Sequence, residues 1–368
     1  MLKVNRFPIL QNKVYNTEEE AINASFGNIN IVVGNNRFIS NIDFDPKKMI
    51  YDQDYDNSVP SNFFKSYYSS IIDHLIDKYK LNSNSLVLDI GCGKGTFLKQ
   101  MFSSGKYNGR AIGIDPSYQG DLSPISNKLT FISEYFNESK LDLVEGVNLV
   151  ILRHILEHIP NPSAFLSNIF RVLKKCNKEK IAIFIEVPDV DWIYRNKAYW
   201  DFFYEHVNYF SKESLYNTIV DSGGSVTNIY NEFGGQHLWG EAELNTEKKS
   251  TKSFKKPGPT FDYSLDFNKE INRIFIKIHK SIDPDSKLVI WGMASKGIIF
   301  SLHLIKKGHE PDFFVDININ KQEKFAPIIA KKIINPKELP KSLKLSIICM
   351  NPNYVNEISE QCQKLKID

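Results

Sequence analysis

One ten-residue segment constrains the fold of this chain more than any other. Residues 86–95 read Leu-Val-Leu-Asp-Ile-Gly-Cys-Gly-Lys-Gly, so a short apolar run ends in an acidic residue and three alternate glycines. A stretch with helical periodicity follows as far as Met101. A buried strand, a glycine turn and a helix in this order are typical of α/β proteins that hold a ligand at the helix start.

The rest of the chain repeats this alternation and predicts an α/β fold, a doubly wound parallel sheet with a smaller C-terminal α/β domain. Predicted strands cover residues 86–88, 111–114, 147–152, 181–187, 288–291, 313–317 and 345–349, and predicted helices cover 61–80, 163–175 and 267–282. We expect four regions: an N-terminal segment (1–80), which carries a turn at residues 33–36, a ligand-binding domain (81–245), a basic linker (246–260) and the C-terminal domain (261–368).

Composition excludes several classes of protein. Lys and Arg total 46 against 43 Asp and Glu, a net charge of +3, which does not favour a nucleic-acid partner. The four cysteines lack Cys-x-x-Cys spacing, so we expect neither a disulfide framework nor a metal site. Without a long apolar run we expect no membrane segment, and we predict a cytoplasmic monomer or homodimer.

The spacing of the glycines bears on the ligand. A dinucleotide fingerprint that starts at Gly91 needs a third glycine at position 96, which is Thr96. Asp89 suits a ligand with an ammonium group, and Asp115, at the end of the second strand, suits the two hydroxyls of a ribose. The residues therefore favour a nucleoside cofactor with an amino-acid tail over NAD.

Three segments together, Asp89–Gly95, Gly113-Ile-Asp-Pro and residues 151–160 (Ile-Leu-Arg-His-Ile-Leu-Glu-His-Ile-Pro), resemble the Rossmann-like S-adenosylmethionine-dependent methyltransferases. The resemblance implies S-adenosyl-L-methionine as cofactor. It also implies that the methionine part lies on the glycine turn, the ribose on the second-strand carboxylate and the adenine near residues 133–135. The candidate cofactor residues are Asp89, Gly91, Cys92, Gly93, Gly95, Asp115, Pro116, Ser133, Glu134 and Arg153.

A narrower resemblance, to the sugar C-methyltransferases, extends over most of the chain from about residue 40. It is carried by short segments: Glu186-Val-Pro, Tyr204-Glu-His206, Tyr209-Phe-Ser211, 233–237, Trp291–Gly297, 315–321 and 350–354. It implies a nucleotide-linked keto-sugar as acceptor and a C-terminal α/β domain that helps to enclose it. This sequence departs from the family in lacking an N-terminal cysteine-rich zinc module and in reading Phe203-Tyr204 where the family often has Tyr-His.

Histidines are the candidate proton acceptors, because their pKa lies near the operating pH. We predict His206 as the base, assisted by Glu205, with His154 at the methyl-transfer site. Arg153 is also a candidate for an anionic part of the substrate. The candidate substrate-binding residues are Tyr204, Gln236, His237 and Lys296. For each of these residues a structural role in the interior is the alternative.

These observations predict a methyltransferase that acts on a sugar by C-methylation. Two alternatives remain open: an O- or N-methyltransferase on a sugar or other small molecule, and an inactive subunit that keeps the cofactor pocket as a scaffold. The partner is expected to be a small molecule, with neither nucleic acid nor membrane involved.

Overall fold

A computed structural model describes residues 2–34, 38–49, 60–122, 127–176, 180–244, 254–259 and 261–367. The chain packs into two compact units. One unit comprises Lys65–Trp192 and Asn208–Phe261, and we call it the seven-strand unit after its large sheet. The other comprises Met1–Phe64, Ile193–Val207 and Asp262–Asp368, and we call it the four-strand unit after its parallel sheet. These units are discontinuous in sequence, whereas the sequence predicted contiguous regions with boundaries at residues 80, 245 and 260. Residues 35–36 of the predicted turn (33–36) and most of the predicted linker lie outside the described residues.

The strands are β1 (Lys3–Pro8), β2 (Phe26–Val33), β3 (Ile39–Asn41), β4 (Leu86–Ile90), β5 (Arg110–Ile114), β6 (Leu129–Ile132), β7 (Leu149–Arg153), β8 (Ile181–Pro188), β9 (Asn208–Tyr209), β10 (Ser225–Glu232), β11 (His237–Leu244), β12 (Lys287–Trp291), β13 (Phe313–Val315), β14 (Ile333–Ile334) and β15 (Leu345–Cys349).

The α-helices are α1 (Glu18–Ile22), α2 (Asn62–Tyr79), α3 (Thr96–Ser103), α4 (Pro162–Cys176), α5 (Val190–Asn196), α6 (Lys212–Asp221), α7 (Phe267–Ser281), α8 (Ser295–Lys306) and α9 (Val355–Leu365). Short 3₁₀ helices cover Pro46–Lys48, Glu138–Leu143, Leu156–His158, Tyr199–Asp201, Pro336–Glu338 and Pro352–Tyr354.

The seven-strand unit contains one sheet in the order β10-β11-β8-β7-β4-β5-β6. The five strands from β8 to β6 are parallel, and every residue of β4 and β7 is buried, as expected for strands covered on both faces. The chain runs outward from β4 through β5 and β6, then returns to build β7 and β8 on the other side. Ligands in such sheets bind at this reversal, outside the carboxyl ends of the strands.

The sheet confirms the predicted α/β class. The prediction that its strands are parallel was wrong at one edge of the sheet. There β11 pairs antiparallel with β8, and β10 pairs antiparallel with β11. Alternating polar residues and three glutamates interrupt the apolar character of these strands, so their sequences do not read as apolar runs. The short strand β6 was also missed.

The four-strand unit contains a parallel sheet, β14-β13-β12-β15, in which β12 reverses the strand order as β4 does. This is the small C-terminal sheet that the sequence predicted. An antiparallel meander, β1-β2-β3, lies in the same unit. Among the described residues, no helix combines the length and the apolar character that crossing a membrane requires.

Candidate functional site

The glycine turn at the carboxyl end of β4 adopts a conformation that only glycine takes without strain. Gly91, Gly93 and Gly95 have φ angles of +74°, +53° and +72°. A side chain at Gly91 would collide with Ile155, and one at Gly95 would collide with the Phe131 ring. No atom lies within 4 Å of the position of a side chain at Gly93. The first and third glycines therefore serve packing, and the second leaves open space above the backbone.

Asp115 joins this turn to β5. Its Oδ2 accepts the Gly93 N–H at 2.8 Å, and its Oδ1 accepts the backbone N–H and the hydroxyl of Ser117 at 2.8 and 2.6 Å. Pro116, next in the chain, is exposed. The carboxylate is half-buried, so it is oriented by the protein and still reached from outside.

The end of β6 lies against the same region. The Ser133 hydroxyl donates to the Tyr118 and Pro116 carbonyls at 3.0 and 3.3 Å. Glu134 is exposed and pairs with Lys140 at 2.6 Å. Ser133 is thus connected to the segment that follows Asp115, while Glu134 stands at the surface.

Asp89 and Cys92 are both shaped by burial. Asp89 is only 3% exposed, and burial raises its pKa to about 7; Arg153 opposes that rise and Asp115 adds to it. Burial also raises the pKa of the Cys92 thiol, which therefore stays protonated. Because the pKa of Asp89 lies near neutral pH, a cationic ligand would stabilise its ionised carboxylate. The protonated Cys92 thiol is not a nucleophile here.

A second group of polar side chains surrounds Glu186, at the carboxyl ends of β7 and β8. Arg153 Nε donates to Glu186 Oε2 at 2.6 Å, and His237 Nδ1 lies 2.8 Å from Oε1. The Tyr67 hydroxyl also donates to this carboxylate, and His154 Nε2 lies 3.5 Å from Oε2. The structure therefore brings three predicted site residues, Arg153, His154 and His237, together on a carboxylate.

Arg153 is almost fully buried and does not face solvent. Its guanidinium lies over the rings of Tyr68 and Phe97, with its carbon 4.3 and 4.5 Å from their centroids. Its charge is already matched by Glu186. Contact with an anionic part of a substrate therefore stays a prediction, and the observed contacts are structural.

Glu186 is a site residue that the sequence analysis did not predict, although the segment Glu186-Val-Pro carries part of the family resemblance. A signal was present: the strand reads Ile-Ala-Ile-Phe-Ile-Glu-Val, one charged residue in an otherwise apolar run. A charge at such a position is costly unless it is paired. The donor atoms of His154, Glu186 and His237 lie within 4.8 Å of one another, a spacing a metal ion could use. Because Arg153 already neutralises Glu186, we do not propose a metal there.

The remaining predicted residues lie elsewhere. Glu205 is buried and its Oε1 accepts the Gln11 N–H at 3.1 Å. His206, in the same four-strand unit, has its ring 4.9 Å from that of Phe203. Tyr204 is fully buried, and its hydroxyl accepts the Asp45 N–H at 3.0 Å.

Lys296 and Gln236 also make contacts within their own units. Lys296 Nζ lies 2.7 Å from Asp201 Oδ1 in the four-strand unit. Gln236 is buried in the seven-strand unit, and its carbonyl accepts the Asp189 N–H at 2.8 Å. The predicted catalytic pair Glu205–His206 and Lys296 thus belong to one unit, and the glycine turn, His154 and His237 to the other.

The sheet order, the glycine turn and the acidic residue that ends β5 define a Rossmann-like α/β protein with a site for a nucleoside cofactor. Residues 64–226 match a family model described as a methyltransferase domain. A search of curated proteins finds no match to the sequence.

Several solved structures are similar to the chain. An S-adenosylmethionine-dependent methyltransferase from Aquifex aeolicus is 15% identical over 49% of this chain and 98% of its own length, with a TM-score of 0.33. The 1,6-didemethyltoxoflavin-N1-methyltransferase of Burkholderia thailandensis is 12% identical over 52% and 93%, with a TM-score of 0.36. An O-methyltransferase family protein from the same organism is 14% identical over 50% and 59%, with a TM-score of 0.34.

The family model carries the assignment, because likenesses at this level do not identify a substrate. Residues 64–226 form a class I S-adenosylmethionine-dependent methyltransferase domain. The protein is a methyltransferase, and its cofactor is S-adenosyl-L-methionine.

Proposed function

We propose that this methyltransferase acts on a sugar, a nucleotide-linked keto-sugar, and adds a methyl group to carbon. The observation that carries this proposal is the second parallel sheet in the same chain. Its strand β12 ends in Trp291-Gly292, with Gly292 at φ +106°, and leads into α8. A small C-terminal α/β domain with this turn is the element that the resemblance to the sugar C-methyltransferases requires.

We assign the cofactor residues to the seven-strand unit. Asp89 would hold the ammonium group, the backbone of residues 91–95 the methionine chain, and Asp115 the ribose hydroxyls. Open space at Gly93 and an oriented, half-exposed carboxylate at Asp115 support these roles. Pro116, Ser133 and Glu134 would lie near the ribose and adenine. When bound, S-adenosyl-L-methionine supplies an electrophilic methyl group on a sulfonium.

The chain must supply a base, because a carbon next to a carbonyl becomes nucleophilic only after it loses a proton. We assign this step to His206: its imidazole takes the proton, the C–H electron pair becomes the enolate, and the proton then passes to solvent. Glu205, the preceding residue, is a buried carboxylate whose Oε1 accepts the Gln11 N–H, and we assign it the assisting role. Tyr204, Gln236, His237 and Lys296 are the proposed sugar contacts.

The product decides between this function and its alternatives. The purified protein is incubated with cofactor carrying a ¹³C-methyl group and with a set of nucleotide-linked keto-sugars, and the product is examined by NMR. C-methylation gives a carbon-bound methyl signal and loss of the hydrogen next to the carbonyl. A methyl ether or methylamine signal would show O- or N-methylation instead.

His206→Ala is the test of the base. We expect it to abolish methyl transfer while S-adenosylhomocysteine still binds. An exposed histidine in the same unit, His279, provides the control variant His279→Ala. A protein that binds cofactor and methylates none of the sugars, with or without His206, would be a scaffold subunit and would refute the proposal.

A further inference from the structure

Glu186 is a buried charge that the assigned cofactor residues leave unexplained. It has no exposed surface, and it lies at the carboxyl end of β8, opposite Arg153 of β7. Burial opposes ionisation, but Arg153, His154 and His237 outweigh it and hold the pKa of Glu186 well below its usual value. The carboxylate is therefore ionised, and its negative charge acts on the two histidines beside it.

Tyr67 completes the shell around this carboxylate. Trp239 Nε1 donates to the Tyr67 hydroxyl at 2.8 Å, which commits the hydroxyl proton to Glu186. Burial, followed by the charge of Glu186, raises the pKa of Tyr67, so it remains a neutral donor. Glu186 is thus held by groups on three elements, α2, β7 and β11.

His237 is fixed by the same carboxylate. An imidazole nitrogen that faces an ionised carboxylate carries its proton, so Nδ1 is the donor and Nε2 holds the lone pair in the neutral ring. The ring stacks on Phe233 with centroids 4.6 Å apart and meets the His154 ring edge-on at 4.7 Å. Glu186 therefore sets which nitrogen of His237 can accept a hydrogen bond.

His154 lies beside two carboxylates. Its Nδ1 lies 3.3 Å from Glu157 and its Nε2 3.5 Å from Glu186. Burial lowers its pKa and Arg153 lowers it further, but Glu186 and then Glu157 outweigh both, so the pKa is raised; His237 also faces the ring. Its backbone has φ +54°, a strained conformation for a histidine that often marks a functional position.

The location of this ring suits it to the reaction. Its side chain is one-third exposed, and the next residue, Ile155, packs directly against Gly91 of the cofactor turn. A cation at this edge stabilises negative charge that develops on a substrate oxygen. The contacts to Glu157 and Glu186, at 3.3 and 3.5 Å, are longer than charged hydrogen bonds. The two carboxylates therefore act on the ring through their negative charge and do not take up its full capacity to donate hydrogen bonds.

We propose that Glu186 is a positioning residue of the methyl-transfer site. It positions His154 to face the acceptor oxygen on which negative charge develops and favours the protonated form of that ring. It also holds His237 with Nε2 as the acceptor for a neighbouring sugar hydroxyl. This rests on the proposed function, in which His206 takes the proton. The enolate oxygen gains charge as that proton leaves and returns to a carbonyl as the new C–C bond forms. The methyl–sulfur bond would break at the same time, and its electron pair would stay on the sulfur of the cofactor product.

The chain offers a matched control at Glu241. This carboxylate is also fully buried, contacts His74 at 2.6 Å and Lys78, and lies on β11 opposite Phe184. Phe184 precedes Glu186 on β8, so Glu241 is farther from the carboxyl edge where the cofactor turn lies. Glu241, like Glu186, is therefore a buried carboxylate beside a histidine and a second basic side chain, but it lies away from the proposed site.

The experiment compares wild type, Glu186→Gln and Glu241→Gln. ¹⁵N-histidine NMR follows protonation of the rings against pH, with the His154 signals assigned from their loss in His154→Gln. Calorimetry measures binding of S-adenosylhomocysteine, and steady-state kinetics measure kcat and KM with the keto-sugar that the wild type methylates.

In Glu186→Gln we expect His154 to titrate at lower pH than in wild type and kcat to fall about 100-fold, with cofactor binding preserved. Glu241→Gln should leave the His154 titration and kcat near wild type. An unmoved His154 titration, or a wild-type kcat in Glu186→Gln, overturns the proposal. If that variant does not fold, His154→Gln and His237→Gln take its place, with the loss expected in kcat for the first and in KM for the second; wild-type kinetics in both would overturn it.

The two proposals fail differently. If the wild type methylates none of the sugars, the proposed function is wrong. The histidine titration needs no acceptor, so it still decides whether Glu186 controls His154.

Discussion

The backbone N–H of Gly93 donates a hydrogen bond to Asp115 Oδ2 at 2.8 Å, which joins the glycine turn of β4 to the end of β5. Ser117 donates twice to the other oxygen, Oδ1. Three donors therefore fix the carboxylate before any ligand arrives. Preorganisation of this kind lowers the entropic cost of binding, so the proposed ribose contact should contribute strongly to cofactor affinity.

We expect Asp115→Asn to weaken binding of S-adenosylhomocysteine by about 10- to 100-fold, because a hydrogen bond to a charged group contributes about 1.5–3 kcal/mol. Isothermal titration calorimetry measures this loss. Asp142→Asn, at an exposed aspartate of the same unit, is the control and should bind as wild type. Unchanged affinity in Asp115→Asn would remove the ribose contact and with it the proposed cofactor pose.

Gly93→Ala should separate binding from folding. The added methyl group meets no protein atom within 4 Å, so the free energy of unfolding should fall only by about 1–2 kcal/mol from the positive φ. The same methyl group would occupy the space assigned to the methionine chain. We expect thermal unfolding close to wild type and no detectable calorimetric binding; a variant that binds normally would contradict this assignment.

Gly95→Ala should show the opposite balance. Its methyl group would overlap the Phe131 ring, which is buried and stacked on Tyr118. Overpacking of this kind costs about 1–3 kcal/mol, in addition to the strain at φ +72°. The unfolding temperature should therefore drop more than in Gly93→Ala. An unfolding temperature equal to that of Gly93→Ala would show that Phe131 moves aside.

The sequence predicted most of the parallel strands of both sheets, because the central strands are buried on both faces. Continuous apolar runs such as those of β4, β7 and β12 identify such strands without knowledge of their neighbours. The antiparallel edge could not be predicted this way. Strand β11 contains Glu241, whose burial is possible only because His74 and Lys78 of α2 reach it across the sheet.

The candidate site also has a part that the sequence predicted and a part that it did not. Glycines and strand-end acids are local signals, so the turn from Asp89 to Gly95 and Asp115 were visible in the sequence. The group around Glu186 is assembled from residues as far apart as Tyr67 and His237, which no local spacing relates. Sequence reasoning found the two histidines separately and did not find the carboxylate that joins them.

Lys296 pairs with the buried side chain of Asp201, and this pair predicts how the stability of a Lys296 variant depends on pH. Burial raises the pKa of Asp201, and the Lys296 ammonium 2.7 Å away opposes that rise. Lys296→Met should therefore destabilise the protein by about 1.5–3 kcal/mol at neutral pH. The defect should shrink at acid pH, where Asp201 is protonated, and Asp201→Asn should rescue part of it.

Thermal unfolding of the single and double variants between acid and neutral pH measures this coupling. If Lys296→Met unfolds like wild type at every pH, the ion pair is not structural. Loss of methyl transfer without loss of stability would then support the proposed sugar contact at Lys296.

Asp89 leads to the last prediction, which concerns proton release on cofactor binding. Its pKa is raised to about 7 by burial, although Arg153 opposes the rise, so near neutral pH part of the protein carries a protonated Asp89. An incoming ammonium group favours the carboxylate, so binding should expel that proton. The affinity for S-adenosylhomocysteine should therefore increase as pH rises toward and just past the pKa, then level off once Asp89 is ionised in the free protein.

Calorimetry at neutral pH in two buffers with different ionisation enthalpies measures the proton directly, as a difference in observed heat. Asp89→Asn cannot ionise, so it should bind more weakly, without a buffer-dependent difference from this group and with a flatter pH profile. Equal heats in the two buffers for the wild type would mean that Asp89 is already ionised before binding. In that case the charge of Arg153 would outweigh the effect of burial on the pKa of Asp89.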